Sequence, residues 1–213
     1  MTVERKPRKD AVRNRAAVFA AADTLFAQCG SPEEVTMADI AAAAGVGKAT
    51  LFRAFGDRDG LIRALYEARL EPITEAVGQG PEPLGPGTPA ARRVPALLDA
   101  LLCFKLDNRH LALALEGSGA DSPYRTEHYE HWHTLLRDLL RLVPGPADTD
   151  FAAHALLAAT RADLVAYLAG EKDVPREELR AQLASFTTTV LDARAGRGPG
   201  PAAGESRPPV PRA

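Results

Sequence analysis

The chain has 213 residues, enough to bury a core without disulfides or metal. Its 40 alanines and 26 leucines far outnumber its 12 valines and 3 isoleucines, which excludes an all-β or mainly parallel-sheet protein. Two cysteines, Cys29 and Cys103, exclude a disulfide framework, and the net charge of −2 marks no generic nucleic-acid binder.

The local pattern says more than the average. Arg5, Lys6, Arg8, Lys9, Arg13 and Arg15 face only Glu4 and Asp10 within the first fifteen residues. That excess of positive charge suits an arm that touches phosphate, read here as a flexible segment over 1–11. Helical periodicity follows, with Val12, Ala16, Phe19, Ala22 and Phe26 on one stripe and Gly30 as the stop. Ser31-Pro32 suits a short turn. Thr36 and Asp39 have the spacing of a capping box, so a short helix starts there and runs through Ile40 and Ala44 to Gly45. After a tight turn a second helix restarts near Lys48 and carries Leu51 and Phe55. Asp57 then caps a longer helix with Leu61, Leu65 and Ala68, running to about Val77.

Glycine and proline break the chain over 78–90, which is read as a loop. Helices are predicted over 91–106, 109–116, 124–143, 149–169 and 176–194. The last carries Leu179, Leu183, Phe186 and Val190 on one stripe. The tail 195–213 is too rich in glycine and proline, and too poor in apolar residues, to fold. The fold class is all-α. The predicted division is an arm (1–11), a three-helix helix-turn-helix domain (12–57), a helical domain (58–194) and a disordered tail.

The segment from Thr36 to Ile62 carries the functional signal. Two short helices around a glycine turn form a helix-turn-helix pattern. Val46 and Leu51 fill the space between them, leaving Lys48, Ala49, Thr50 and Arg53 outward. Lysine and arginine donate to guanine, threonine meets a base or a phosphate, and alanine allows close approach to a thymine methyl. An ordinary helical hairpin has the same spacing, so the pattern alone favours DNA binding only modestly.

The residues Thr36, Ile40, Ala41, Ala44, Gly45, Val46, Gly47, Ala49, Thr50, Leu51, Phe52, Phe55, Arg58 and Leu61 resemble the DNA-binding domain of the TetR family of bacterial regulators. The resemblance is specific over about 12–65; beyond it, only the all-helical architecture is shared. It implies that Thr36 contacts phosphate, that Lys48, Ala49 and Thr50 face the major groove, and that Arg58 holds phosphate. Arg53 is a further contact. Phe52 stands where the family often has tyrosine, and Gly47 where serine is frequent, so each loses a hydroxyl. The resemblance further implies a cytoplasmic homodimer on a pseudo-palindromic double-stranded operator, paired through 149–169 and 176–194. It also implies a repressor released by a small-molecule effector. The candidate effector lining is Phe104, Glu116, Tyr129, Trp132, His133, Arg161 and Tyr167.

Other chemistry finds little support. His128, His131 and His133 cluster, but no four-ligand zinc spacing is present, so no metal and no cofactor are expected. Ser118 lies between Gly117 and Gly119 without a nucleophile elbow, and no phosphate-binding glycine loop is present, so no enzyme is expected. No apolar run approaches a membrane span, so no membrane partner is expected. The rival readings are a helical dimer that binds DNA without specificity and, behind it, a small-molecule-binding enzyme.

Overall fold

Helices carry the chain throughout; among the described residues there is no strand. The computed structural model describes residues 5–28, 34–117, 127–145 and 148–196. Cys29, the turn expected at Ser31-Pro32, Ser118 and positions 197–213 of the tail lie outside them.

Helix α1 spans Arg5–Gln28, so the segment read as a flexible arm is helical from Arg5 onward. Arginine and lysine are good helix formers, and Pro7 sits in the first turn, where its missing N–H has no intrahelical partner to lose. The buried stripe also differs from the expected one. Val18, Ala22 and Phe26 are buried, whereas Val12 is 67 % exposed. Val12 precedes the part of α1 that packs on the rest of the domain, so its periodicity has nothing to meet.

Helices α2 (Met37–Ala43) and α3 (Lys48–Phe55) form the helix-turn-helix. The Asp39 N–H donates to Thr36 Oγ1 at 3.2 Å, and the Thr36 N–H donates to Asp39 Oδ2 at 3.1 Å, which completes the expected box. Gly45 has φ +67°. Its N–H reaches the Ala42 carbonyl, and that of Val46 the Ala41 carbonyl, closing α2 in a Schellman motif. A residue with a Cβ is disfavoured at this backbone angle.

Helix α4 (Arg58–Gln79) is capped by Asp57, which accepts from the Gly60 N–H at 2.8 Å. A Cβ on Gly60 would stand 2.1 Å from the Phe55 carbonyl oxygen. The turn between α3 and α4 therefore closes only because residue 60 has no side chain. The first half of α4 buries Leu61, Ile62, Leu65 and Tyr66; the second buries Leu70 and Val77. One apolar cluster runs from Val18 through α4 to Leu183, so the helix-turn-helix and the helices that follow it share a core.

The loop after α4 is short and tied down. Buried Arg93, on α5 (Ala90–Asp107), donates to the carbonyls of Leu84 and Val77. Helix α6 spans Arg109–Gly117, α7 Glu127–Arg141 and α10 Arg176–Arg194. Helix α5 lies at the centre, packed on α10 and α7. Arg180 on α10 grips the Asp99 carboxylate on α5 with two bonds of 2.7 and 2.8 Å.

The helix expected over 149–169 is broken. Helix α8 spans Asp150–Ala158, α9 spans Ala162–Ala166, and a π-helical turn covers Tyr167–Glu171. Thr160 turns its hydroxyl back to the Leu157 carbonyl, and Arg161 is extended. The buried start of α9 is then satisfied from a distance, because the Ala162 N–H donates to Glu116 Oε2 at 2.8 Å. The other Glu116 oxygen pairs with Lys105 at 2.5 Å, both side chains being largely buried. The stretch Asp150–Glu171 has the length and mean hydropathy, 1.2, of a possible span, but this break and its charged residues interrupt it.

Two substitutions test these ties. Glu116→Ala strands Lys105 and uncaps α9, so unfolding by denaturant should show a loss of about 3–5 kcal/mol. The double variant Glu116→Ala/Lys105→Met should recover part of it. Gly60→Ala should cost about 1–3 kcal/mol by overpacking and should broaden the amide resonances of α3 before those of α10.

Candidate nucleic-acid interface

The outward surface of the helix-turn-helix follows from which residue the core claims. Leu51 is the buried residue of α3 and seats the helix against α2 and α4. Gly47, Lys48, Ala49, Thr50, Phe52 and Arg53 are all exposed. The structure thus leaves six of the eight predicted contact residues together on one short helix and its N-cap. Arg53 has no ion-pair partner among the described residues, and Lys48 lies near enough to the capping Asp39 for its charge to act on that carboxyl. Hydrogen bonds from the Thr36 hydroxyl and N–H hold that carboxyl below the usual carboxylate range, with Lys48 adding to the effect. Phe52 is 48 % exposed, an apolar ring at a polar surface.

Thr36 is exposed at the N-cap of α2, beside the start of α3. Arg58 is held differently. Its Nε donates to the Val35 carbonyl at 3.1 Å, and its guanidinium lies 5.8 Å from the centre of the Phe26 ring. It ties the start of α4 to the residue before the Thr36 cap and so fixes the height of α2. Arg15 on α1, read in the sequence as one of the cations of a phosphate-touching arm, is held against aromatic rings. Its guanidinium lies 4.8 Å from the Phe19 ring and 5.4 Å from that of Phe55, joining α1 to the end of α3.

The predicted effector residues divide into groups. Phe104 and Trp132 are buried in the inner bundle. Phe104 meets the edge of Tyr66 at 5.0 Å, and Tyr66 meets His128 at 4.9 Å. His128 in turn meets Trp132 at 6.1 Å. Glu116 holds Lys105 nearby, and Arg161 makes a two-bond pair with Asp163 at 3.0 Å. Tyr129 and His133 stack together with His154 at the junction of α7 and α8. Tyr167 is 42 % exposed, with the Lys172 ammonium over its ring.

Two buried polar atoms in the inner group, the Tyr66 hydroxyl and Trp132 Nε1, have no hydrogen-bond partner among the described residues. Leaving such atoms unpaired costs about 1–3 kcal/mol each, so a ligand that satisfies them regains that energy. Burial, with Glu116 adding, pushes the Tyr66 hydroxyl pKa up. Burial pushes His128 down to about 4, helped by the charges of Lys105 and His131. Burial also lowers Lys105, opposed by Glu116. Nothing local marked Tyr66, which reads in the sequence as one more inward position of α4.

Arg69, also on α4, connects the two halves. It pairs with Asp23 on α1 and reaches Asn108 Oδ1, between α5 and α6, at 3.4 Å. The DNA-binding domain and the inner bundle therefore meet at one guanidinium as well as through the shared core.

Residues 18–65 match the family described as bacterial regulatory proteins, tetR family. No curated protein matches the chain. Solved structures are similar along most of its length. One is a TetR-like transcriptional regulator from Rhodococcus sp. RHA1, 22 % identical, TM-score 0.60, covering 84 % of this chain and 95 % of that one. Another, the TetR-like regulator LfrR from Mycobacterium smegmatis in complex with proflavine, is 21 % identical with a TM-score of 0.57 and covers 85 % and 97 %. A tetR-family regulator from Streptomyces coelicolor is 18 % identical with a TM-score of 0.58 and covers 86 % and 82 %. At these identities the likeness is one of fold. The chain is a DNA-binding transcriptional regulator whose residues 18–65 carry the helix-turn-helix described for the tetR family of bacterial regulatory proteins, within a fold like that of solved TetR-like regulators.

Proposed function

We propose that the protein is a cytoplasmic, homodimeric repressor that leaves a pseudo-palindromic operator when a small molecule enters its inner bundle. The observation that carries this reading is the pair of unpartnered buried atoms, Tyr66 Oη and Trp132 Nε1. They lie among aromatic rings, Tyr66 on α4, which also seats the helix-turn-helix, and Trp132 on α7. A molecule with a flat apolar body and a hydrogen-bonding group fits those walls and donors. LfrR, which shares the fold, is solved with the flat aromatic compound proflavine. Tyr66 and Trp132 are 1 % and 3 % exposed, so entry must part α4 from α7. Parting them shifts Arg69 and the first half of α4, and with it the seat of α3. A coupling of about 1–3 kcal/mol changes operator affinity roughly 5–150-fold.

DNA recognition in this reading divides by chemistry. Lys48, Ala49 and Thr50 read base edges, whereas Thr36, Arg53 and the Gly47 N–H contact phosphate. Phe52 packs on the sugar-phosphate backbone without a hydrogen bond. Arg58 acts as a positioning residue for the Thr36 cap and touches phosphate only with what its ties leave free. One such helix is too short to select a genomic site alone, and two-fold pairing doubles the readout. The exposed Phe186, Leu164, Tyr167 and Phe151 on α8–α10 and the adjoining turn support a dimer there, since the monomer core claims Leu179, Leu183 and Thr187 instead.

Footprinting on genomic fragments selected by the purified protein, at two salt concentrations, tests the DNA half. A protected palindrome is expected. Lys48→Ala/Thr50→Ala should weaken it at least 10-fold while the dimer stays intact, and higher salt should weaken binding further. Diffuse protection, unchanged in the variant, would favour the non-specific helical dimer. The inner bundle makes a separate pH prediction. The unfolded chain binds the His128 proton below about pH 6.5, whereas the folded chain resists it down to about 4. Stability should therefore be full above about pH 6.5 and fall by up to about 3 kcal/mol as pH drops toward 4. Denaturant unfolding should show this slope flattened in His128→Gln.

A further inference from the structure

A second histidine group lies apart from the inner bundle, where α7 meets the first turns of α8. His133 comes from α7, and Asp150 and His154 come from α8 at i and i+4, on one face of that helix. One ligand atom from each of the three lies within 4.8 Å of the others. His133 Nε2 is 3.4 Å from Asp150 Oδ1, and His154 Nε2 is 3.7 Å from Asp150 Oδ2. Metal–ligand bonds of roughly 2.0–2.1 Å place tetrahedral ligands about 3.3–3.4 Å apart, so these spacings are close to those of a loaded site.

The surroundings suit a metal better than a plain ion pair. His154 Nδ1 is 2.6 Å from the Tyr129 hydroxyl. When that nitrogen carries the proton and donates it to Tyr129, Nε2 is left as a lone pair facing Asp150. A histidine ligand held at its far nitrogen in this way is the usual outer-shell arrangement. His133 is buried, while Asp150 and His154 keep 62 % and 41 % of their side chains exposed, so an ion can reach them from solvent. The two imidazoles stack 3.9 Å apart at 21°. Bringing both lone pairs to one ion takes a turn of the His154 ring, whose side chain is 41 % exposed.

We propose that His133, Asp150 and His154 bind a divalent first-row transition ion of the zinc class, with the remaining position taken by water. Two imidazoles and one carboxylate suit such an ion and not a hard ion such as calcium or magnesium, which favours an all-oxygen set. The ion would clamp α7 to α8 outside the aromatic core, independently of any effector. The local histidine run at 128–133 contributes only His133; the other two ligands come from the next helix.

The test uses the full chain without an affinity tag, stripped by chelator and titrated with Zn²⁺ against a chromophoric competitor. One equivalent per chain is expected. His154→Ala and Asp150→Asn should each weaken binding at least 10-fold, and Tyr129→Phe by a smaller factor. Both ligand positions are exposed, so helicity by circular dichroism should be unchanged. Co²⁺ should give a visible d–d band in the native protein that is lost in His154→Ala. His131→Ala, on the exposed side of α7, should bind as the native chain does. No saturable binding would overturn the proposal, and so would binding removed by His131→Ala but kept by His154→Ala.

Discussion

Helix α4 is the member on which the rest of this protein hangs. Its inward residues change allegiance along its length. Leu61, Ile62 and Leu65 close the core beneath the helix-turn-helix, and Tyr66, Leu70 and Val77 belong to the inner bundle. The buried cluster is continuous across that change. A packed core is dense and deforms little, so the two domains cannot drift independently at this joint. Arg69 adds a polar tie at the same level by holding α1 and the α5–α6 junction together. The placing of the exposed α3 surface is thus a property of the whole chain.

Around that member, polar groups act where apolar packing cannot. The Thr36–Asp39 box starts α2, and Asp57 starts α4. Glu116 reaches across the bundle to cap α9 and neutralise Lys105. Arg93 gathers the carbonyls at the end of α4 and in the loop behind it. Each satisfies a helix end or a loop carbonyl that has no partner within its own element. The same reasoning makes Tyr66 Oη and Trp132 Nε1 conspicuous, because among the described residues they are buried without a partner and lie in one aromatic group.

Local sequence carried much of this, and distance explains the remainder. The box at Thr36, the left-handed Gly45 and the span 176–194 all follow from residues within a turn of one another, and the structure repeats them. The break at Thr160 was invisible because the group that stabilises it, Glu116, is 46 residues away in the chain. Val12 fits the apolar period yet lies in solvent, since periodicity says which face a residue shares and not whether anything packs there. Arg58 was legible as a cation at a helix start, but its bond to the Val35 carbonyl needs the fold. Gathering Asp150 and His154 beside His133 likewise needs the fold, because two helices supply the three residues.

The length of α4 has a mechanical consequence. Its 22 residues make a rod about 33 Å long at ~1.5 Å per residue. Pivoting such a rod by about 5° at one end sweeps the other through roughly 3 Å, close to the ~3.4 Å step between neighbouring base pairs. With the pivot at its far end, a shift of about 1.7 Å at Tyr66 grows to roughly 3 Å at the end that seats the helix-turn-helix. In a two-fold assembly the shift enters twice with opposite sense, so the spacing between the half-sites, more than the grip on either one, is what a bound molecule would spoil.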